Sequence, residues 1–209
     1  MIDKYSEIIP ETYFHIYNRA NGNEKLFLSV DNYLYFLKRY KDFIQPICET
    51  YAYCLMPNHF HFLIQVKREN DILEHLKTLQ GFKTIEDLKN KNISRLLSQQ
   101  FSNFFNSYTQ ALNKQHNRKG SLFMRSFKRK IITSDGYRLK TVHYIHFNAV
   151  EAGLCDVPEQ WPYCSFSNLL NKQNDIFVNK ETIDWFGSRE NFLHTHRNSN
   201  FKPNIDVII

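Results

Sequence analysis

Short runs of apolar and aromatic residues, separated by turn-forming residues, predict four β-strands in the chain. The first run, residues 12–20, alternates aromatic and polar side chains, as expected for a strand whose two faces differ. Residues 49–57 and 59–66 are rich in aromatic and aliphatic side chains and are joined through a proline–asparagine pair, which predicts a hairpin turn. A fourth strand is predicted in the segment FKRKIIT, residues 127–133.

Apolar residues spaced three and four apart predict helices between and after these strands. The helices cover residues 31–47, 94–115 and about 135–152. Short polar residues favour helix starts, whereas proline and glycine favour helix ends. The predicted boundary residues are Asp31 and Pro46 for the first helix, and Ser134, Asp135 and Gly153 for the third.

The resulting order, β-α-β-β-α-β-α, predicts an α+β fold with a ferredoxin-like antiparallel sheet and helices packed on it. A parallel sheet fits worse, because the two central strands are two residues apart and a parallel crossover needs about a dozen or more. We expect one domain at residues 1–154, with a polar, lysine-rich insertion at about 67–93. Residues 155–209 are expected to form a helical C-terminal extension packed on the same domain.

Composition bounds the function without deciding it. Of the 209 residues, 42% are hydrophobic, including 18 Phe and 12 Tyr, which allows an aromatic core and argues against disorder. The sequence shows neither a signal peptide nor a window suited to a membrane span, so a cytoplasmic protein with no membrane partner is expected. The net charge of +6 permits a polyanionic partner without requiring one.

Two histidines one residue apart, His59 and His61, interrupt the apolar segment YCLMPNHFHFLIQ at residues 53–65. On a strand they project from the same face, while Phe60 between them points the other way. Neutral imidazole is the commonest metal-binding side chain, so a metal site is one interpretation and two half-buried structural histidines are the other. His15, in the middle of the first strand, is interpreted as a core or edge histidine outside the metal site.

A polar face on the third helix could complete such a site. Tyr144 and Asn148 are four residues apart and are therefore neighbours on this face. The face is either a wet surface or a nucleophile beside a metal ligand. Its other members are Tyr137, Thr141 and Glu151, opposite a stripe of Leu139, Val142, Ile145, His146 and Ala149.

Phosphodiester cleavage is a chemistry that would use both halves of this site. A free phenol has a pKa of about 10 and is a poor nucleophile at neutral pH. A divalent cation neutralises charge on the phosphate oxygens during attack. Two imidazoles and one amide oxygen could hold that cation and leave positions open for phosphate. Imidazole favours Zn²⁺ or Mn²⁺-like ions over Mg²⁺, so these residues leave the metal undecided.

A basic segment lies before and within the fourth strand. Its cations alternate with Phe123 and Phe127, a pattern suited to single-stranded nucleic acid, although a solvated basic loop explains the same residues. Asn18 and Arg19, at the end of the first strand, are further candidates for phosphate contacts. The cations of the segment are Arg118, Lys119, Arg125, Lys128, Arg129 and Lys130.

Several motifs in the same order resemble the REP-associated tyrosine transposases, which belong to the single-tyrosine HUH transposases. The motifs are YFHIYNRA, MPNHFHFLI, GSLFMRSFKRK, YIHFNAVEAGL and WPYCSF, and the similarity extends over residues 13–166. The resemblance implies the HUH nuclease fold. It also implies a metal-dependent endonuclease and strand transferase that cuts single-stranded, hairpin-forming DNA with Mg²⁺ or Mn²⁺ and forms a 5′-phosphotyrosine link.

The resemblance assigns roles to four residues. It implies that His59, His61 and Asn148 bind the metal and that Tyr144 is the nucleophile, whereas the rival Tyr137 lacks an amide four residues later. The sequence departs from the family pattern in two places. Ala149 stands where relatives have proline after the Asn, and a Met-Arg pair stands in the basic segment where relatives often have Gln, which could alter sequence preference.

Two other functions remain open from the sequence. The chain could be a non-catalytic single-stranded nucleic-acid-binding protein, or a metal-dependent phosphodiesterase that uses activated water. A monomer and a homodimer are both compatible with the residues. The segment 184–196 could pack on the body of the protein or contribute to recognition of a DNA hairpin.

Overall fold

The computed structural model describes residues 6–80, 88, 92–171 and 178–197. In these ranges one sheet has the strand order β2-β3-β1-β4, and every neighbouring pair is antiparallel. This order confirms the predicted ferredoxin-like sheet. The strands are β1 Tyr13–Arg19, β2 Cys48–Met56, β3 His59–Val66 and β4 Lys128–Ile131.

Seven α-helices with defined bounds accompany the sheet in the described part of the chain. Four belong to the main body, and three short ones form the C-terminal extension after a 3-10 turn at Pro158–Gln160. No helix in the described ranges is both long and apolar enough to cross a membrane. The helices are α1 Val30–Phe43, α2 Glu69–Gln80, α3 Ile93–Gln115, α4 Asp135–Glu151, α5 Ser165–Leu170, α6 Glu181–Asp184 and α7 Arg189–Arg197.

Helix boundaries agree only in part with the sequence expectations. The N-cap of α1 is Ser29, so Asp31 lies in the first turn, where its carboxylate still complements the helix dipole. The same helix ends at Phe43, earlier than expected, because a residue before proline disfavours helical geometry and Pro46 follows closely. Ser134 caps α4 as predicted. Helix α2 fills the first part of the expected insertion, while 81–87 and 89–91 lie outside the described residues.

Aromatic side chains from α1 and α3 cover one face of the sheet. Phe62 of β3 stacks on Tyr40 of α1, with ring centroids 4.3 Å apart, and Phe36 contacts Phe104 of α3 at 4.8 Å. All four rings are almost completely buried. Burial of each such side chain stabilises the fold by about 1.5–3 kcal/mol. Since strand residues alternate, this packing directs His59 and His61 to the opposite face, where α4 lies against β2 and β3.

A buried chain of hydrogen bonds joins α4 to the C-terminal extension. The Phe192 carbonyl can only accept, so His196 donates to it from Nδ1 at 2.8 Å and accepts at Nε2 from His146 Nδ1 at 3.0 Å. His146 Nε2 then accepts from the Ser165 hydroxyl at 2.8 Å. His146, Ser165 and His196 are at most 1% exposed. The chain requires both rings to be neutral, and it fixes α7 and α5 to the middle of α4.

We predict that acid destabilises the fold through these buried histidines. Burial lowers the pKa of His196 to about 3, and it lowers the pKa of His146 well below its usual value. In the unfolded chain both take up protons near pH 6.5, so the free energy of unfolding should fall as pH drops below about 6.5, by about 1.4 kcal/mol per pH unit per histidine. Urea unfolding between pH 7.5 and 5 measures this slope.

The variant His196→Gln should be less stable at pH 7 and should show a shallower decline below pH 6.5. His194→Gln is the matched control, since His194 lies on the same helix with its side chain exposed. Parallel stability curves for wild type and His196→Gln would contradict the assignment.

Candidate functional site

The pairing of β1 with β3 assembles a group of polar and aromatic side chains on the face covered by α4. Arg19 pairs with His59 and Tyr17 pairs with His61 in the antiparallel register. His15 precedes Tyr17 by two residues and therefore shares its face. The predicted histidine pair thus lies beside three residues of β1, and the rings of His59 and His61 are 5.2 Å apart and nearly perpendicular.

His61 is completely buried and has one ring nitrogen without a hydrogen-bond partner. Its Nδ1 lies 2.9 Å from Nε2 of His15, while its Nε2 and the Nδ1 of His15 have no partner. Buried polar atoms are nearly always hydrogen-bonded, so an unpartnered nitrogen suggests a missing ligand. Metal-binding histidines commonly bond through their second nitrogen to a neighbouring group, which is the arrangement His15 provides here.

His59 faces two amide oxygens, although a neutral imidazole carries only one N–H. Its Nδ1 lies 2.7 Å from Asn58 Oδ1, and its Nε2 lies 3.4 Å from Asn148 Oδ1. The Asn148 amide nitrogen donates to the Tyr144 carbonyl at 3.0 Å, which turns Oδ1 toward the ring. Burial and the charge of Arg19 lower the pKa of His59, which disfavours a second ring proton. A cation shared by Nε2 and Oδ1 would satisfy both lone pairs.

These residues fit the predicted metal site. The candidate ligands are Nε2 of His59, Nε2 of His61 and Oδ1 of Asn148, and the other nitrogen of each ring is already engaged. Nitrogen and oxygen ligands of this kind suit several divalent transition metals. Within the described ranges no group of three or more His, Cys, Asp or Glu side chains could hold a metal, so a site here depends on the amide.

Tyr144 lies next to the histidine pair. Its ring centroid is 5.4 Å from that of His61 and 5.8 Å from that of His15, at nearly right angles to both. Burial raises the pKa of Tyr144 to about 12, with a smaller opposing effect from Asn148. The phenol is therefore neutral at physiological pH and would need assistance to act as a nucleophile. The rival Tyr137 instead places its ring 5.1 Å from Lys130 Nζ.

The wet-surface interpretation of the polar face of α4 is wrong for Thr141 and Asn148, whereas Glu151 at the end of the helix is exposed. Thr141 is fully buried and Asn148 is 6% exposed, because this face packs against the sheet. His146 and Ala149, on the stripe opposite, are fully buried as well. The middle of α4 is therefore buried both on the face with Thr141 and Asn148 and on the opposite stripe.

The predicted DNA-contacting cations are divided between surfaces. Lys128 and Lys130 pair with Tyr17 and His15, so they share the face of the histidines. Arg129 points to the opposite face, where it lies over the Phe127 ring and donates to the Ser6 carbonyl. Lys119 and Arg125 are exposed, in the segment between α3 and β4. Arg118 forms an ion pair with Glu24, and Arg19 is half-buried.

Two predicted contact residues also have structural roles, and their contacts with DNA stay a prediction. Asn18 is 5% exposed, and its amide donates to the Met124 carbonyl at 3.2 Å. Phe123 is 6% exposed and packs on Phe105 with ring centroids 5.1 Å apart, and Phe127 packs on the same ring. Phe123 and Phe127 are therefore mostly covered by protein and present only a small part of their rings to solvent.

Sequence reasoning missed the part played by His15. The sequence does contain a usable signal, because antiparallel pairing of HIYNR with HFHF can bring histidines of two strands together. That inference requires the pairing register, which a single strand does not reveal.

A cavity of about 370 Å³ lies beside His59 and is lined by Asn58, Lys25 and Leu154 among others. Another cavity, of about 610 Å³, lies elsewhere. Four carboxylates line it, which makes it unsuited to a polyanion: Glu11, Glu49, Asp71 and Glu74.

Comparison with known proteins supports the resemblance. No protein-family model matches the chain. A relative from Haemophilus influenzae, provisionally named a REP-associated tyrosine transposase, is 26% identical over 144 residues, which are 67% of this chain and 68% of the relative. A solved structure of a REP-associated tyrosine transposase bound to a REP hairpin matches with a TM-score of 0.57 and 15% identity, covering 82% of this chain and 87% of that one. The first match confirms the resemblance, and the second shows a shared fold.

We predict that the site binds Mn²⁺ through the two strand histidines. Calorimetric titration of the DNA-free protein should lose measurable Mn²⁺ binding in His61→Ala, because a ligand is removed. His15→Gln should weaken binding about 10–100-fold, because His61 loses the partner that orients it. His116→Gln, at an exposed position, is the control. Wild-type affinity in His61→Ala would rule out this site, and wild-type affinity in His15→Gln would rule out the orienting role.

Proposed function

We propose that the chain is a metal-dependent single-tyrosine transposase that cuts single-stranded DNA beside a hairpin. The observation that carries the proposal is the juxtaposition of Tyr144 and Asn148, one helical turn apart, with the His59–His61 pair. The similarity to a provisionally named transposase supports the same activity.

In the proposed reaction His59, His61 and Asn148 would hold a divalent cation. When bound, the cation supplies neutralisation of charge on the non-bridging oxygens of the scissile phosphate. The Tyr144 oxygen attacks phosphorus, so a bond forms between that oxygen and the 5′-phosphate while the bond from phosphorus to O3′ breaks. The phenol loses one proton and the departing O3′ gains one, which leaves a phosphotyrosine and a free 3′-OH.

Burial of Tyr144 has a mechanistic consequence. Burial raises the pKa of this phenol to about 12, so removing its proton costs more free energy than in an exposed tyrosine, and the proton must leave as the oxygen attacks. Lys128 and Lys130 share the sheet face of the histidines and could attract the DNA backbone to it. Tyr144 lies beside the histidines of its own chain, which supports cleavage by a single subunit.

We expect a covalent protein–DNA product that depends on Tyr144. Purified protein is incubated with labelled hairpin-bearing single-stranded DNA and Mn²⁺, and the products are separated by denaturing electrophoresis. Wild type should give a DNA-linked protein band, and Tyr144→Phe should give none, because the attacking oxygen is absent. Tyr137→Phe is the matched control on the same helix and should retain the band.

The two alternative functions give different results in the same experiment. DNA cleavage without a linked band, unaffected by Tyr144→Phe, would indicate hydrolysis by activated water. Binding without cleavage would indicate a non-catalytic nucleic-acid-binding protein.

A further inference from the structure

A second cavity lies between α3 and the loop at residues 120–127, away from the histidines. Its volume is about 370 Å³, which lies within the usual size range of small-ligand sites. The wall is aromatic, formed by the packed rings of Phe105, Phe123 and Phe127. Asn106, Thr109 and Arg125 contribute an amide, a hydroxyl and a guanidinium to the lining.

The cavity is pre-formed, because hydrogen bonds hold the loop in place. The Met124 N–H donates to the Arg19 carbonyl at 2.9 Å, and the Asn18 amide donates to the Met124 carbonyl at 3.2 Å. At the other end the Asn113 amide donates to the Gly120 carbonyl at 2.9 Å. Gly120 has a φ of +90°, a conformation that side chains other than glycine rarely adopt. The loop therefore keeps the cavity open without a ligand.

The lining suits a nucleobase better than other small groups. The exposed parts of the three rings form an apolar wall that a flat base can contact, while amide and hydroxyl groups can bond to the polar edge of the base. Arg125 is exposed at this cavity, where it can contact the phosphate that accompanies the base. An inorganic anion would leave the aromatic wall unused, and an apolar peptide side chain would leave the polar groups unpaired.

The cavity lies close to the candidate cleavage site along β1. Asn18 lines the cavity, whereas Arg19, the next residue, pairs with His59 on the opposite face of the sheet. Consecutive strand residues are separated by about 3.3 Å along the strand, so both sites lie at the same end of β1, on opposite faces of the sheet. A nucleic-acid strand that crosses this end would have a phosphate at the histidines and a nearby base at the cavity.

We propose that this cavity binds one unpaired base of the DNA strand that is cut, within a few nucleotides of the scissile phosphate, and so contributes to sequence selection. The inference rests on the proposed function, since it requires single-stranded DNA at the histidines. In this proposal the loop encloses a base, whereas the sequence suggested that bases stack on Phe123. The ring of Phe123 instead forms part of the cavity wall.

The test is a binding selection with single-stranded DNA hairpins that carry a randomised ten-nucleotide arm. Bound molecules are recovered and sequenced for wild type and for two variants. Asn106→Ala removes the amide from an exposed position, and Thr109→Phe fills the cavity. Gln110→Ala, an exposed amide on the same helix outside the cavity lining, is the control.

Wild type and Gln110→Ala should enrich one base at one arm position on the order of 10-fold. Both cavity variants should lose that preference while preferences at other positions remain. Preferences that survive in Asn106→Ala and Thr109→Phe, or that weaken equally at all positions, would overturn the proposal. Because Asn106 is exposed, its variant remains informative if Thr109→Phe fails to fold.

Formation of the covalent band, assayed separately, distinguishes the two proposals. A wild-type protein that forms the band but shows no preference dependent on the cavity would overturn this inference alone. A wild-type protein that neither binds the pool nor forms the band would overturn both.

Discussion

The antiparallel register between β1 and β3 is the constraint on which the candidate site depends. It places Tyr17 opposite His61 and Arg19 opposite His59, and it gives His61 a hydrogen-bond partner in His15. A shift of one residue would send the histidines into the aromatic layer formed by α1 and α3. Packing of Phe62 on Tyr40 opposes that shift, so the core and the polar site fix the same register.

Helix α4 connects the site to the rest of the protein. Its Tyr144 and Asn148 face the strand histidines, while His146 is bonded to the C-terminal extension through Ser165 and His196. Buried histidine pairs lie on both sides of the helix: His15 with His61 on the sheet side, and His146 with His196 on the other side. On the sheet side an unpartnered nitrogen suggests a ligand, whereas on the other side the nitrogens of the two bonded rings are paired within the protein.

The sequence predicted the elements better than the contacts between them. Alternation and turn residues located the hairpin that carries His59 and His61, and the four-residue spacing of Tyr144 and Asn148 placed them on one face of a helix. The sequence left the burial of that face undecided, because a helix packed on both sides lacks a clear apolar stripe. The burial of the aromatic residues in the basic segment could not be predicted: whether Phe123 faces solvent or core depends on a loop that bonds to β1, far away in sequence.

The clamping of α4 determines which component can move in the proposed reaction. A tyrosine on a helix held by the sheet on one side and by a buried hydrogen-bond chain on the other has little freedom to swing between partners. Exchange of one strand end for another would then require the nucleic acid to be repositioned around a stationary attacking group. Remodelling of the hairpin-bearing DNA, rather than a conformational cycle of the protein, would set the order in which ends are cut and joined.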